Sequence, residues 1–153
     1  MTKNSSNLTL TLILLTISLI LFSTFIIQHW LGHVPCKLCL YERIPYFISI
    51  LLIAVILFTE RYKKIILLTL SIVFLTSAAL AFYHFGIEQG FFDESLACTS
   101  GDLSKTLSKE ELLEQLKQNT ISCKDASFRI LGLSLAAVNM VFSFILSAIF
   151  IKL

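Results

Sequence analysis

The residues with the most chemical potential lie in one run, Val34-Pro35-Cys36-Lys37-Leu38-Cys39-Leu40-Tyr41-Glu42-Arg43. Cys36 and Cys39 form a Cys-x-x-Cys pair, a spacing that can depress a thiol pKa and cycle between dithiol and disulfide. If a helix starts near Leu38–Leu40, Cys39 occupies its first turn, where unpaired backbone N–H groups and the helix dipole favour an anion. Arg43, four residues on, shares that face. The spacing therefore predicts Cys39 as the stabilised thiolate and leaves Cys36, one turn earlier, with less help. Arg43 also fits a plainer role, a snorkelling anchor that fixes helix depth.

Two further cysteines, Cys98 and Cys123, lie in the only long polar segment. One pair at a bilayer edge and one in a loop suggest an electron relay. Four cysteines allow three pairings, and spacing does not choose among them. Zinc is a rival chemistry: His29, His33, Cys36 and Cys39 could supply four tetrahedral ligands. Against it, the stretch faces an oxidising compartment and the second cysteine pair is left without a role, so no metal is expected. His84, beside Tyr83 at the end of an apolar span, reads either as a hydrogen-bonding group for a ligand near the bilayer surface or as a satisfied interfacial histidine.

Apolar spans must position these residues. The chain has 153 residues, 56% of them hydrophobic and 14% charged, with a mean hydropathy of +0.85, well short of the charge of a soluble domain. Leu8–Ile27 carries no charge and is long enough to span, as are Ile65–Phe85 and Ile130–Ile151. Ile44–Phe58 is too short unless its helix begins near Leu40, which draws Glu42 and Arg43 into the interface. The expected fold is an all-α membrane protein, a four-transmembrane-helix bundle in a single domain over 1–153. Its spans are placed near 8–27, 40–59, 65–85 and 130–151. The first is expected to be retained, since its apolar core exceeds a signal peptide's and no Ala-x-Ala-like site follows.

The short loop Glu60-Arg61-Tyr62-Lys63-Lys64 is basic, Lys3 precedes the first span and Lys152 follows the last. By the positive-inside rule these places, and both termini, face the cytoplasm. The acidic 86–127 loop and all four cysteines then face an extracytoplasmic space, where disulfides persist. Within that loop, Ser108-Lys109-Glu110-Glu111 has capping-box spacing and Leu112, Leu113 and Leu116 form a stripe, so a short amphipathic helix is expected over Lys109–Gln118. It reads equally as a membrane-surface helix or a solvated one. A net charge of +2 without a single-sign run gives no footprint for nucleic acid.

Pro-Cys-x-Leu-Cys-x-Tyr-Glu-Arg, here Pro35 to Arg43, resembles the signature of the bacterial disulfide bond formation protein B (DsbB) family. Tyr83-His84-x-Gly86-x-Glu88-Gln89-Gly90, the Cys98 and Cys123 pair, and Leu131-Gly132-Leu133-Ser134 extend the resemblance over nearly the whole chain. The resemblance implies a four-helix enzyme of the bacterial inner membrane that reoxidises a periplasmic, DsbA-like thioredoxin-fold protein. It implies catalytic cysteines at Cys36, Cys39, Cys98 and Cys123. The partner would attack a Cys98–Cys123 disulfide at Cys98, electrons would pass to Cys36–Cys39, and Cys39 would deliver them to ubiquinone or menaquinone from the membrane pool. Arg43, with Cys39 and His84, would bind the quinone. The chain departs from many members by carrying Phe128 where they have Trp.

Two other readings compete. A protein similar to vitamin K epoxide reductases also sets a Cys-x-x-Cys against a quinone in a four-helix bundle, with electrons running the other way; the Tyr-Glu-Arg continuation favours DsbB. A non-catalytic metal-binding or assembly protein predicts neither quinone dependence nor a mixed disulfide.

Overall fold

The computed structural model describes residues 3–93, 98, 123–125, 129–130 and 132–153. The helices are α1 (Lys3–His29), α2 (Lys37–Tyr41), α3 (Ile44–Phe58), α4 (Lys63–Glu88) and α5 (Leu135–Lys152), with 3₁₀ turns at Glu60–Tyr62 and Cys123–Asp125. Among the described residues, four stretches are long and apolar enough to cross a membrane: Ser5–His29, Lys37–Phe58, Glu60–Glu88 and Leu135–Lys152. The fold is the four-helix membrane bundle expected. The amphipathic helix expected over Lys109–Gln118, and Phe128, lie outside the described residues.

The second span is not one continuous helix. Pro45 sits in the first turn of α3, where its missing N–H costs nothing, but its ring and the restriction on Ile44 oppose a helix running in from Tyr41. The chain therefore breaks at Glu42–Arg43, and α2 extends the span back to Lys37, further than the Leu40 expected. The break lets the Glu42 side chain turn into the bundle.

The last helix starts later than Ile130. Arg129–Ile130 pairs antiparallel with Leu133–Ser134, Arg129 opposite Ser134 and Ile130 opposite Leu133. Gly132, at φ +84°, occupies the tight turn between them, a conformation that glycine adopts without a Cβ penalty. Ser134 then caps α5, its Oγ accepting from the Ala137 N–H at 3.2 Å.

The packing runs α1 on α3, α3 on α4, and α4 along α5. The α4–α5 seam is built from small residues that let the backbones approach. Ser71 and Ser147 hydroxyls lie 3.1 Å apart, Ser77 and Ser143 3.3 Å apart, and Ser147 donates to the Ser71 carbonyl at 2.9 Å. A buried core of Leu10, Ile13, Ile17, Ile53, Leu70, Phe74, Leu146 and Phe150 fills the middle. Leu8, Leu12, Leu15, Leu19 and Phe22 form an exposed stripe along α1, suited to lipid rather than water. The topology gathers the ends of α1 and α4 and the starts of α2 and α5 at the cysteine end. Arg61, Lys63 and Lys64 fall at the opposite end, where Lys63 Nζ donates to Ser6 Oγ at 2.7 Å.

Candidate functional site

Cys36 is extended (φ −70°, ψ 167°) and is itself the N-cap of α2, its Sγ accepting from the Cys39 N–H at 3.2 Å. The Cys36 and Cys39 sulfurs lie 2.7 Å apart, so little more than side-chain torsion separates dithiol from disulfide. His84 Nε2 stands 3.5 Å from Cys36 Sγ. The anion-stabilising groups thus converge on Cys36, which is held down to about 5. The hydrogen bond from the Cys39 thiol contributes most, with His84 and the Cys39 N–H behind it, against the opposing effect of burial.

The expectation for the thiol pair is corrected here. The helix N–H points at the capping sulfur rather than at a sulfur inside the first turn. Arg43 takes its hydrogen bond elsewhere, its Nη1 donating to Gln28 Oε1 at 2.7 Å with its guanidinium 5.7 Å from the Phe25 ring centroid, while its charge stays within electrostatic reach of both sulfurs.

Behind the cysteines runs a buried polar network. His84, 1% exposed, meets Glu42 Oε1 through Nδ1 at 2.7 Å, and Glu42 itself is 7% exposed. Asn139 Nδ2 donates to the other Glu42 oxygen at 2.8 Å. Asn139 Oδ1 accepts from Tyr46 Oη, and from Ser143 Oγ at 3.2 Å. Glu88, one turn after His84, places Oε1 3.8 Å from His84 Nε2. The motif readings carried Glu42 and Glu88 without a role, and missed Tyr46 and Asn139 altogether. The signal for Asn139 was present: a lone amide in an apolar span needs a partner.

The outer cysteines are bonded to each other, Cys98 to Cys123, with Cα atoms 5.4 Å apart. Both are buried, and they share one apolar cluster with Cys36, Leu38 and Ile87, while Cys39, Leu80 and Tyr83 pack against it. The Cys123 turn packs on α4.

That placement depends on how α4 ends. Gly90, at φ +77°, closes it as a Schellman motif: the Gly90 N–H bonds Ile87 O at 3.0 Å and the Phe91 N–H bonds Gly86 O at 2.8 Å. The turn folds Phe92 back over Gly86, where a Cβ would collide with its ring, and stacks it on Tyr83 at 5.6 Å.

A cavity of about 430 Å³ opens between α1 and α5 beneath the cysteines. Its body is apolar, with Leu19, Ile20, Val138 and Phe142 among the lining residues. Cys36, Cys39, Arg43, Gln28, His33 and His84 are among its polar lining residues. Leu19 and Val138 are also exposed on the outer surface, so the cavity borders the lipid. All of the residues expected at the inner redox site, Cys36, Cys39, Arg43 and His84, meet here. The zinc grouping read from spacing does not form. Among the described residues the thiols are grouped with His84, and His29 is exposed with Nδ1 3.1 Å from Phe25 O.

A membrane four-helix bundle with a free Cys-x-x-Cys pair against a lipid-bordered cavity, and a disulfide packed on it, defines a membrane thiol–disulfide protein. The family model for the disulfide bond formation protein DsbB matches residues 5–153, and the chain belongs to that family. An uncharacterized protein from Rickettsia prowazekii (strain Madrid E) is 34% identical over 134 residues, covering 86% of this chain and 78% of the relative. No solved structure gives a significant match. The chain is a multi-pass membrane protein of the disulfide-bond-forming oxidoreductases.

Proposed function

We propose that this protein is a quinone-dependent thiol oxidase that reoxidises a periplasmic, DsbA-like thioredoxin-fold protein. The observation that carries the reading is the burial of Cys98–Cys123 in one cluster with Cys36, directly beside a cavity that Cys36 and Cys39 line. Thiol–disulfide exchange requires contact between sulfurs, and the two pairs are already packed together.

The steps balance as exchanges. A partner thiolate attacks Cys98 Sγ, forming a mixed disulfide and releasing Cys123 as thiolate. The partner's second thiolate resolves that bond, leaving the partner oxidised and Cys98 and Cys123 reduced. Cys123 attacks Cys36 of an oxidised inner pair, and Cys98 then displaces Cys36. This restores Cys98–Cys123 and leaves Cys36 and Cys39 as the dithiol. Cys36, within the shared cluster, is suited to receive; Cys39, at its edge, is suited to hand on.

The cavity fits a quinone: its volume lies within the range of about 300–1,000 Å³ of small-molecule sites, and its largely apolar lining includes Cys36, Cys39, Arg43 and His84. Ubiquinone or menaquinone, when bound, would supply a two-electron, two-proton acceptor. Arg43, Cys39 and His84 would hold its polar ring. His84 Nε2 is placed to take the Cys36 proton, and Glu42 Oε1 fixes the imidazole that carries it.

The test uses purified protein, a short-chain quinone and a reduced thioredoxin-fold dithiol substrate. Catalytic substrate oxidation that requires quinone, and is abolished by Cys36→Ser or Cys39→Ser, is expected. Quinone-independent oxidation, or none with either quinone class, overturns the reading.

A further inference from the structure

We propose that, with its dithiol reduced, the cluster of Cys36, Cys39, His84 and Glu88 is a binding site for a soft divalent cation of the zinc class. The ligand atoms of Cys36, Cys39 and His84 lie within 4.8 Å of one another. A tetrahedral ion with Zn–S near 2.3 Å and Zn–N near 2.0–2.1 Å sets sulfur and nitrogen about 3.6 Å apart and two sulfurs about 3.8 Å apart. Cys36 Sγ and His84 Nε2 are 3.5 Å apart. The two sulfurs, at 2.7 Å, need to part by about 1 Å, which side-chain rotation supplies.

Two further observations point to a cation. The Glu88 side chain is 5% exposed, with Oε1 3.8 Å from His84 Nε2; the Ser134 hydroxyl lies near the carboxylate, yet Oε2 has no partner at hydrogen-bond geometry among the described residues. Buried polar atoms are rarely left so, and a carboxylate beside the imidazole is available as a fourth ligand to the set formed by the two thiols and His84. His84 is also oriented as metal-binding histidines are. Its Nδ1 meets Glu42 Oε1 at 2.7 Å, which directs the Nε2 lone pair at the sulfurs, and Asn139 braces Glu42 in turn at 2.8 Å.

Binding displaces the protons still held by the thiols and His84 to solvent and moves no electrons. Closing the Cys36–Cys39 disulfide removes two of the four ligands, so the site exists only in the reduced state. A bound cation therefore opposes reoxidation of the pair.

The experiment measures metal binding without quinone or turnover. Full-length protein carrying Cys98→Ala and Cys123→Ala, which removes the outer thiols, is reduced with a phosphine. It is titrated with Cd²⁺ by thiolate-to-metal charge-transfer absorbance and with Zn²⁺ by calorimetry. One ion per chain is expected at micromolar metal, and oxidation of the inner pair should abolish binding. Glu88→Gln and His84→Ala should each weaken it by about 10–100-fold, with helical content unchanged by circular dichroism. Absence of the charge-transfer band, or equal affinity in both variants and their parent, overturns the site; the second result leaves only unspecific dithiol chelation. Failure here leaves the thiol-oxidase reading intact, and failure of the quinone assay leaves this site intact.

Discussion

Burying a carboxylate is costly unless its oxygens are fully engaged, and Glu42 engages both, one on His84 and one on Asn139. The arrangement ties the orientation of the His84 ring to residues on α5 and at the α2–α3 break. Glu42→Gln keeps the shape and removes the charge that holds the imidazole, so turnover should fall by about 10-fold or more while the bundle stays folded. Steady-state kinetics alongside thermal melting separates the two effects, and unchanged turnover would reduce Glu42 to packing. Cys36 gives a sharper test through pH. With its pKa near 5, its thiolate should be present above that pH and lost below it in the reduced protein. His84→Ala deletes a hydrogen bond that favours the anion, so the midpoint should rise. Thiolate ultraviolet absorbance, compared with that of Cys36→Ser to isolate this sulfur, reads the value; a midpoint unmoved by His84→Ala would detach His84 from the thiol. At this scale the cysteines, Arg43 and His84 were legible because their types and local spacing carry chemistry. The partition of charge between Cys36 and Cys39 was not. It turns on a capping geometry that spacing alone does not specify, and the partners of Glu42 come from helices that are distant in sequence.

Whole spans are written in composition, and their ends are written in single residues. Leu8–Ile27 and Ile65–Phe85 were readable as helices because twenty-odd apolar residues admit few alternatives in a bilayer. The α2–α3 break and the late start of α5 were less visible, since Pro45, Gly132 and Ser134 act through local backbone geometry that a hydropathy average smooths away. Gly86 belongs to this scale. Its missing side chain lets Phe92 fold over the end of α4, next to the Ile87 that packs with the cysteines. Gly86→Ala forces the ring out and should destabilise by about 1–3 kcal/mol, the usual range for overpacking. Phe92→Ala in the same chain removes the obstacle. The double variant should therefore be more stable than the sum of the single losses, a positive coupling in a double-mutant cycle. Thermal unfolding in detergent measures it, and strict additivity would show that Phe92 does not rest on Gly86.

For the molecule as a whole, the decisive quantity is the side of the membrane on which the cysteine end lies. The structure sets the cysteine cluster and the Arg61–Lys64 turn at opposite ends of the bundle, and from the bias of Lys and Arg toward the second end we propose that this end is cytoplasmic. On that proposal the cysteines occupy the oxidising side, where a Cys98–Cys123 disulfide persists. Both of these sulfurs are buried, Cys98 at 2% exposure and Cys123 at 0%. Exchange requires contact between sulfurs, which for a pair held apart in a loop would demand travel inward to Cys36. Their shared cluster reverses that demand, and what has to become accessible is Cys98, to the partner. In intact cells, a thiol reagent that cannot cross the membrane should label Cys98 and Cys123 only after reduction, and from outside. In the relay proposed, Cys123→Ser leaves Cys98 without its resolving neighbour, so a mixed disulfide between Cys98 and the reduced partner's attacking thiol should accumulate, provided that Cys98 is first oxidised through the inner pair. Cys98→Ser should trap nothing at the outer pair. Non-reducing electrophoresis with a partner lacking its own resolving cysteine distinguishes the two variants. Equal trapping by both would mean that the outer sulfurs have interchangeable roles, and labelling confined to the cytoplasmic face would invert the topology and remove the oxidising compartment on which the relay depends.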